Sequence, residues 1–134
     1  MIVVVDVANV LGSRPDGWWR DRAAATGRLL DSLAGLPGST VAGPDGDSVL
    51  IDRVVAVVEG AARGAAAASA GAVEVVRAER DGDAAVAALT GELTGGPAGR
   101  VDVLVVTADR GLRQRLSPKA RAVGPSWLNG LIGR

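Results

Sequence analysis

The 134 residues suit one domain with a hydrophobic core, since 48% of them are hydrophobic, but that core must be built without Phe or Tyr. The formal charges cancel, so the overall balance announces neither a nucleic-acid binder nor a membrane-surface protein. With no Cys and no His, disulfides, thiolate chemistry and the Ser-His-Asp and Cys-His constellations are excluded, and zinc, which prefers nitrogen and sulfur, is disfavoured.

Ile2 to Val5 is a continuous β-branched run closed by Asp6, the pattern of a strand covered on both faces. A loop is expected after it, with Pro15-Asp16-Gly17 as a turn signal. Trp19, Ala23, Thr26, Leu30 and Leu33 then recur at helical spacing and predict a helix of about four to five turns, stopped by Gly35 and Pro37. Residues 38 to 52, rich in Gly, Pro, Asp and Ser, read as a mobile loop leading into a strand. Arg53 to Val58 is a second buried strand ending at Glu59, and Val73 to Val76 a third. Between them, Gly60 to Ala72 reads as a low-complexity crossover, helix or collapsed loop. Ala84, Ala85, Val86, Leu89 and Leu93 form a helical stripe behind Asp81-Gly82-Asp83. Val101 to Val106 is the fourth strand, followed by Thr107-Ala108-Asp109 and a short helix through Leu112 and Leu116. Ala120 to Val123 gives a fifth strand, and Trp127 to Ile132 a last amphipathic turn or two. Strands alternating with helices predict right-handed βαβ units, hence a single α/β domain over residues 1–134: a three-layer α/β/α sandwich with a mostly parallel sheet of four to five strands.

In such a sheet ligands bind beyond the C-terminal ends of the strands. Each of the first four predicted strands delivers an acid there: Asp6, then Glu59, then Glu79, Asp81 and Asp83, then Asp109. Converging carboxylates repel one another, and a bound cation is the usual resolution. All-oxygen donors without His select a hard ion, Mg²⁺ or Mn²⁺. Asp6 is the strongest candidate, because a carboxylate directly after four apolar strand residues sits near the core. Asp83 and Asp109 each precede a helix and are equally well explained as N-caps. Asp81 also reads as an exposed turn residue, Glu59 as a solvated strand end and Glu79 as a surface residue.

Asn9 can bond a phosphate oxygen or a bound water, or simply shape its loop, and Thr107 can bond a neighbouring carboxylate. Only one of the 15 basic residues, Lys119, is not an arginine, and Arg presents a fork that suits phosphate. A GC-rich genome would produce the same bias. Arg14, Arg110 and Arg113 flank the acidic edge as candidate backbone grips, with a solvated charged face as the plain alternative. Of the adjacent pair Trp18 and Trp19, one is expected to pack and the other is open to stacking on a base.

Three segments resemble the PIN-like nucleases, most of all their NYN branch. Val3-Val4-Val5-Asp6-Val7-Ala8-Asn9-Val10 is similar to the opening strand with its Asp-x-x-Asn motif, Asp81-Gly82-Asp83-Ala84-Ala85-Val86 to the motif that opens a central helix, and Val105-Val106-Thr107-Ala108-Asp109-Arg110-Gly111-Leu112 to the Thr/Ser-x-Asp motif after the fourth strand. They stand in the family's order, and Glu59 falls where many members carry an acid. The resemblance implies a metal-dependent ribonuclease with Asp6, Asp83 and Asp109 as catalytic metal ligands, Glu59 and Asp81 as further ligands, and Asn9 as a positioning group. The central segment departs from the pattern, with Gly82 where an acidic pair is common and Asp81 displaced by one position. A PIN-like module with a weakened metal site, binding RNA or a protein, is the alternative. A receiver-like domain is set aside because Asp6 has no acidic neighbour, and a dinucleotide-binding one because no Gly-rich turn follows the first strand. The expected partner is RNA, with room for a protein partner or inhibitor, and the chain is expected to be a monomer or homodimer. No apolar run approaches the roughly 20 residues of a membrane span, and no basic leader precedes Ile2, so a cytoplasmic location is expected.

Overall fold

A computed structural model describes residues 1–59, 72–78, 82–95 and 101–134. Its elements in chain order are β1 (Ile2–Asp6), α1 (Val7–Gly12), a 3-10 turn (Trp18–Arg20), α2 (Arg22–Leu33), β2 (Thr40–Ala42), β3 (Ser48–Leu50), β4 (Arg53–Val58), β5 (Glu74–Arg77), α3 (Gly82–Thr94), β6 (Val103–Val106), α4 (Arg110–Arg115), β7 (Ala120–Val123) and α5 (Pro125–Ile132). The expected crossover from Gly60 falls, apart from Ala72, outside the described residues, as do Glu79 and Asp81.

Five strands form one parallel sheet in the order β5-β4-β1-β6-β7, as the apolar runs predict. Every residue of β1 is buried, and its side chains alternate between two cores. Val3 and Val5 join Ala56 and Val58 of β4 beneath α1, α2 and α5, through Val10, Leu30 and Leu128. Ile2 and Val4 join Val55, Val57 and Val105 beneath α3 and α4, through Val86 and Leu112. The result is the expected three-layer sandwich. Each fully buried Val or Leu contributes about 1.5–3 kcal/mol, so aliphatic side chains alone can replace the missing aromatics.

Three readings of the sequence change. Residues after Asp6 form a helix at once rather than a loop, because Val7, Val10 and Leu11 make an i, i+3, i+4 stripe that is buried against the first core. Asn9 is therefore on α1. The helix expected to start near Trp19 is split: the Asp21 carboxylate accepts from the Ala24 N–H at 3.0 Å and caps α2, so the tryptophans stand apart on the 3-10 turn. Residues 40–50 form an antiparallel hairpin, with Val41 opposite Val49, rather than a loop. Its Gly43-Pro44-Asp45-Gly46 tip needs the left-handed φ of +89° at Gly46. The hairpin packs through the Trp127 indole, which donates to the Ala42 carbonyl at 3.0 Å.

Among the described residues no helix is long and apolar enough to cross a membrane.

Candidate active site at the switch point

The chain runs outward from β1 through β4 to β5, then crosses to the other side of β1 to make β6 and β7. The switch point therefore lies between β1 and β6, where Val5 pairs with Val106. One residue further on, each strand presents a polar side chain, Asp6 from β1 and Thr107 from β6. Asp6 is 6% exposed, and Thr107 beside it is fully buried. The Thr107 hydroxyl accepts the Asp109 N–H at 3.1 Å, so its single proton is left for Asp6 Oδ2 at 3.0 Å. The Asn9 side-chain carbonyl accepts the Ala108 N–H at 2.8 Å. Two bonds thus stitch the end of β1 and α1 to the loop after β6. They also use the acceptor end of the Asn9 amide on backbone, which leaves its NH₂ as the donor able to meet a ligand.

Asp6, Ala8, Asn9, Glu59, Asp83 and Asp109 line one open cleft. Four of the predicted acids are brought together there by four different elements. Asp109 caps α4, accepting from the Leu112 N–H at 3.1 Å. Asp83 is not a cap but lies within the first turn of α3, where its carboxyl contacts that of Asp109. Glu59, one residue past β4, accepts the Gly82 N–H at 2.5 Å. The missing side chain at Gly82 has a local reason: a Cβ there would stand 2.5 Å from Glu59 Oε2. The glycine that departs from the family motif is thus the space that Glu59 occupies.

No protein-family model matches the chain, and no curated protein does. A solved structure, that of Rae1 (YacP) from Bacillus subtilis, shares the fold. It has a TM-score of 0.70 at 20% identity, over 98% of this chain and 74% of that one.

The electrostatics of the cleft pull its carboxyls apart. Burial pushes the Asp6 carboxyl above its ordinary value, the more so because Glu59 and Asp109 are negative neighbours. The Thr107 hydroxyl opposes this, as does the Asn9 backbone N–H, which faces the same carboxylate without the geometry of a full hydrogen bond. Asp109 moves the other way. The Leu112 N–H holds its carboxyl below the ordinary value against some desolvation, helped by Asp83, the Gly111 N–H and Arg115.

The donor set fits a hard divalent cation. It is all oxygen, and among the described residues no basic side chain lines the cleft, although Arg115 acts on Asp109 from outside it. Among the described residues no three acids converge closely enough to enclose an ion by themselves. Such a set suits Mg²⁺, which keeps several waters and is held by one or two carboxylates together with substrate phosphate.

The three candidate phosphate grips end up in different settings. Arg113, though exposed, folds back, with Nε and Nη2 donating to the Thr107 carbonyl at 3.1 and 2.8 Å, and so braces the loop that carries Asp109. Arg110, in the first turn of α4, and Arg14, beyond the end of α1, are both exposed, and neither lines the cleft.

Proposed function

We propose that this chain is a metal-dependent ribonuclease that hydrolyses RNA phosphodiester bonds at the β1/β6 switch point. The observation that carries the reading is one cleft at the sheet's C-terminal edge lined by Asp6, Asp83, Asp109 and Glu59. The resemblance of the three motif segments to PIN-like nucleases supports RNA as the substrate. In this reading Asp6 and Asp109 are the principal ligands, Asp83 and Glu59 reach the ion through its waters rather than completing a closed cage, and Asp81 remains a further candidate. When bound, Mg²⁺ or Mn²⁺ supplies Lewis acidity to a phosphoryl oxygen and acidifies water at neutral pH. The chain's own part is positioning. Thr107 fixes the Asp6 carboxylate, Arg113 and Asn9 fix the loop that presents Asp109, and the Asn9 NH₂ orients a phosphate oxygen at the cleft wall. Arg110 and Arg14 hold the flanking backbone by charge.

The test is incubation with an end-labelled single-stranded RNA in Mg²⁺ or Mn²⁺ and in EDTA. Cleavage in either ion and none in EDTA is the expected result. Cleavage that persists in EDTA, or an intact RNA in both ions, contradicts the proposal.

Gly82→Ala probes the shell. The φ of Gly82 is not positive, so alanine suits its backbone and gains up to about 1 kcal/mol of helix propensity. Its methyl group must displace the Glu59 carboxylate. The variant should melt near the wild-type temperature and bind Mn²⁺ about tenfold or more weakly, the loss typical of a removed supporting contact. Calorimetry beside a melting curve checks both. Unchanged affinity would remove Glu59 from the shell.

A further inference from the structure

A second hollow adjoins the acidic cleft, lined by Val7, Ala8, Leu11, Trp18, Arg22 and Glu59. Ala8 and Glu59 also line the cleft, so the two depressions share a wall. The hollow is different in kind: its wall is mainly aliphatic and aromatic, with one cation, Arg22, and one anion, Glu59, at the side shared with the cleft. The Arg22 guanidinium lies 5.1 Å from the centroid of the Trp18 ring, and Trp19 stands edge-on to Trp18 at 6.1 Å. Trp18 has a packing role, since it covers part of the core beneath α1 and α2. Trp19 does not: it is 53% exposed in a chain whose only aromatic residues are three Trp. The remaining one, Trp127, is half-buried and hydrogen-bonded to the hairpin.

The hollow itself is small, about 30 Å³, and Trp19 does not line it. A ligand here therefore lies across its mouth against the exposed Trp19 ring. It must offer a flat apolar face and tolerate a cation beside it, next to the acidic cleft. An unpaired nucleobase meets all three demands. Its π-face stacks on the exposed Trp19 indole, one of its two flanking phosphates meets Arg22 while the other reaches the cleft, and stacking does not depend on base identity. A paired base cannot enter, because its faces are covered by its neighbours in the duplex. We propose that Trp18, Trp19 and Arg22 form a stacking subsite for one unpaired base of a single-stranded nucleic acid whose adjacent phosphate lies in the acidic cleft. The inference rests on the phosphodiester reading of that cleft, and it makes the enzyme selective for single strands.

The experiment is equilibrium binding of a fluorescein-labelled single-stranded RNA, followed by anisotropy in Ca²⁺ and again in EDTA. It uses wild type, Trp19→Ala and Trp19→Phe, with melting curves on all three. Trp19→Ala should weaken binding about five- to a hundredfold, the scale of one lost base–aromatic stack, while Trp19→Phe recovers most of it. Moving a single abasic site along the RNA should find one position that weakens wild type and has no further effect on Trp19→Ala. Wild-type affinity in a folded Trp19→Ala, equal loss on a duplex of the same sequence, or no single-strand binding by wild type in either condition would overturn the subsite. Trp19-dependent binding without cleavage in Mn²⁺ would keep the subsite and reject hydrolysis. Cleavage with binding indifferent to Trp19 would do the reverse.

Discussion

Asp6→Asn should abolish ion-dependent RNA cleavage and at the same time raise the melting temperature of the metal-free protein. The two effects share one cause. Asp6 is buried near negative neighbours, so its charged form carries a cost that the Thr107 hydroxyl offsets only in part and that a bound cation would relieve. Asparagine keeps an oxygen for the Thr107 hydroxyl, nearly the same shape, and no charge. Loss of a principal ligand removes several kcal/mol of stabilisation of the charge that develops on phosphate, or about two orders of magnitude or more in rate. The pH dependence follows from the direction of the shift. The folded state holds the Asp6 proton more tightly than the unfolded chain does. That proton therefore stabilises the fold fully below the ordinary carboxylate range, and the contribution is lost as pH rises through the folded value. Melting curves in EDTA across the acid-to-neutral range should show Asp6→Asn gaining over wild type as pH rises, by a few degrees at neutrality. A variant less stable than wild type at neutral pH would show that the Asp6 charge is already compensated within the fold.

Asp109 allows its two roles to be separated. As the N-cap of α4 it needs only an oxygen to accept the Leu112 N–H; as a ligand it needs its charge. Asp109→Asn should melt close to wild type and lose cleavage by about a hundredfold or more. Asp109→Ala should lose cleavage as fully and also melt lower, because α4 then starts without a cap. Activity retained in Asp109→Asn and lost in Asp109→Ala would reduce this residue to a cap and leave the cleft short of a ligand.

The legible parts of the molecule were those written in hydrophobic pattern. The valine runs of β1, β4 and β6 are buried on both faces, a pattern left by parallel strands between helices, so sheet and layers followed directly. The acid after each of these runs pointed to the cleft for the same reason: a carboxylate at the end of a buried strand is visible against its apolar surroundings. Less legible was whatever depends on a partner distant in the chain. Gly82 read as a defect in a motif because nothing local to it reveals that Glu59, 23 positions earlier, fills its Cβ space. Arg113 read as a phosphate grip, and only the fold shows its guanidinium on the Thr107 carbonyl. The six residues of α1 were missed because a short helix beginning at a strand end shows just one turn of its period. The split before α2 was missed because apolar spacing ran through Asp21, and a cap overrides periodicity.

A metal-dependent cleft must bind a hard cation through Asp6. Calorimetric titration with Mn²⁺ of wild type and of Asp6→Asn measures this directly. The predicted result is saturable binding to wild type that Asp6→Asn abolishes. No binding to wild type at millimolar Mn²⁺, or binding that Asp6→Asn leaves intact, would contradict it.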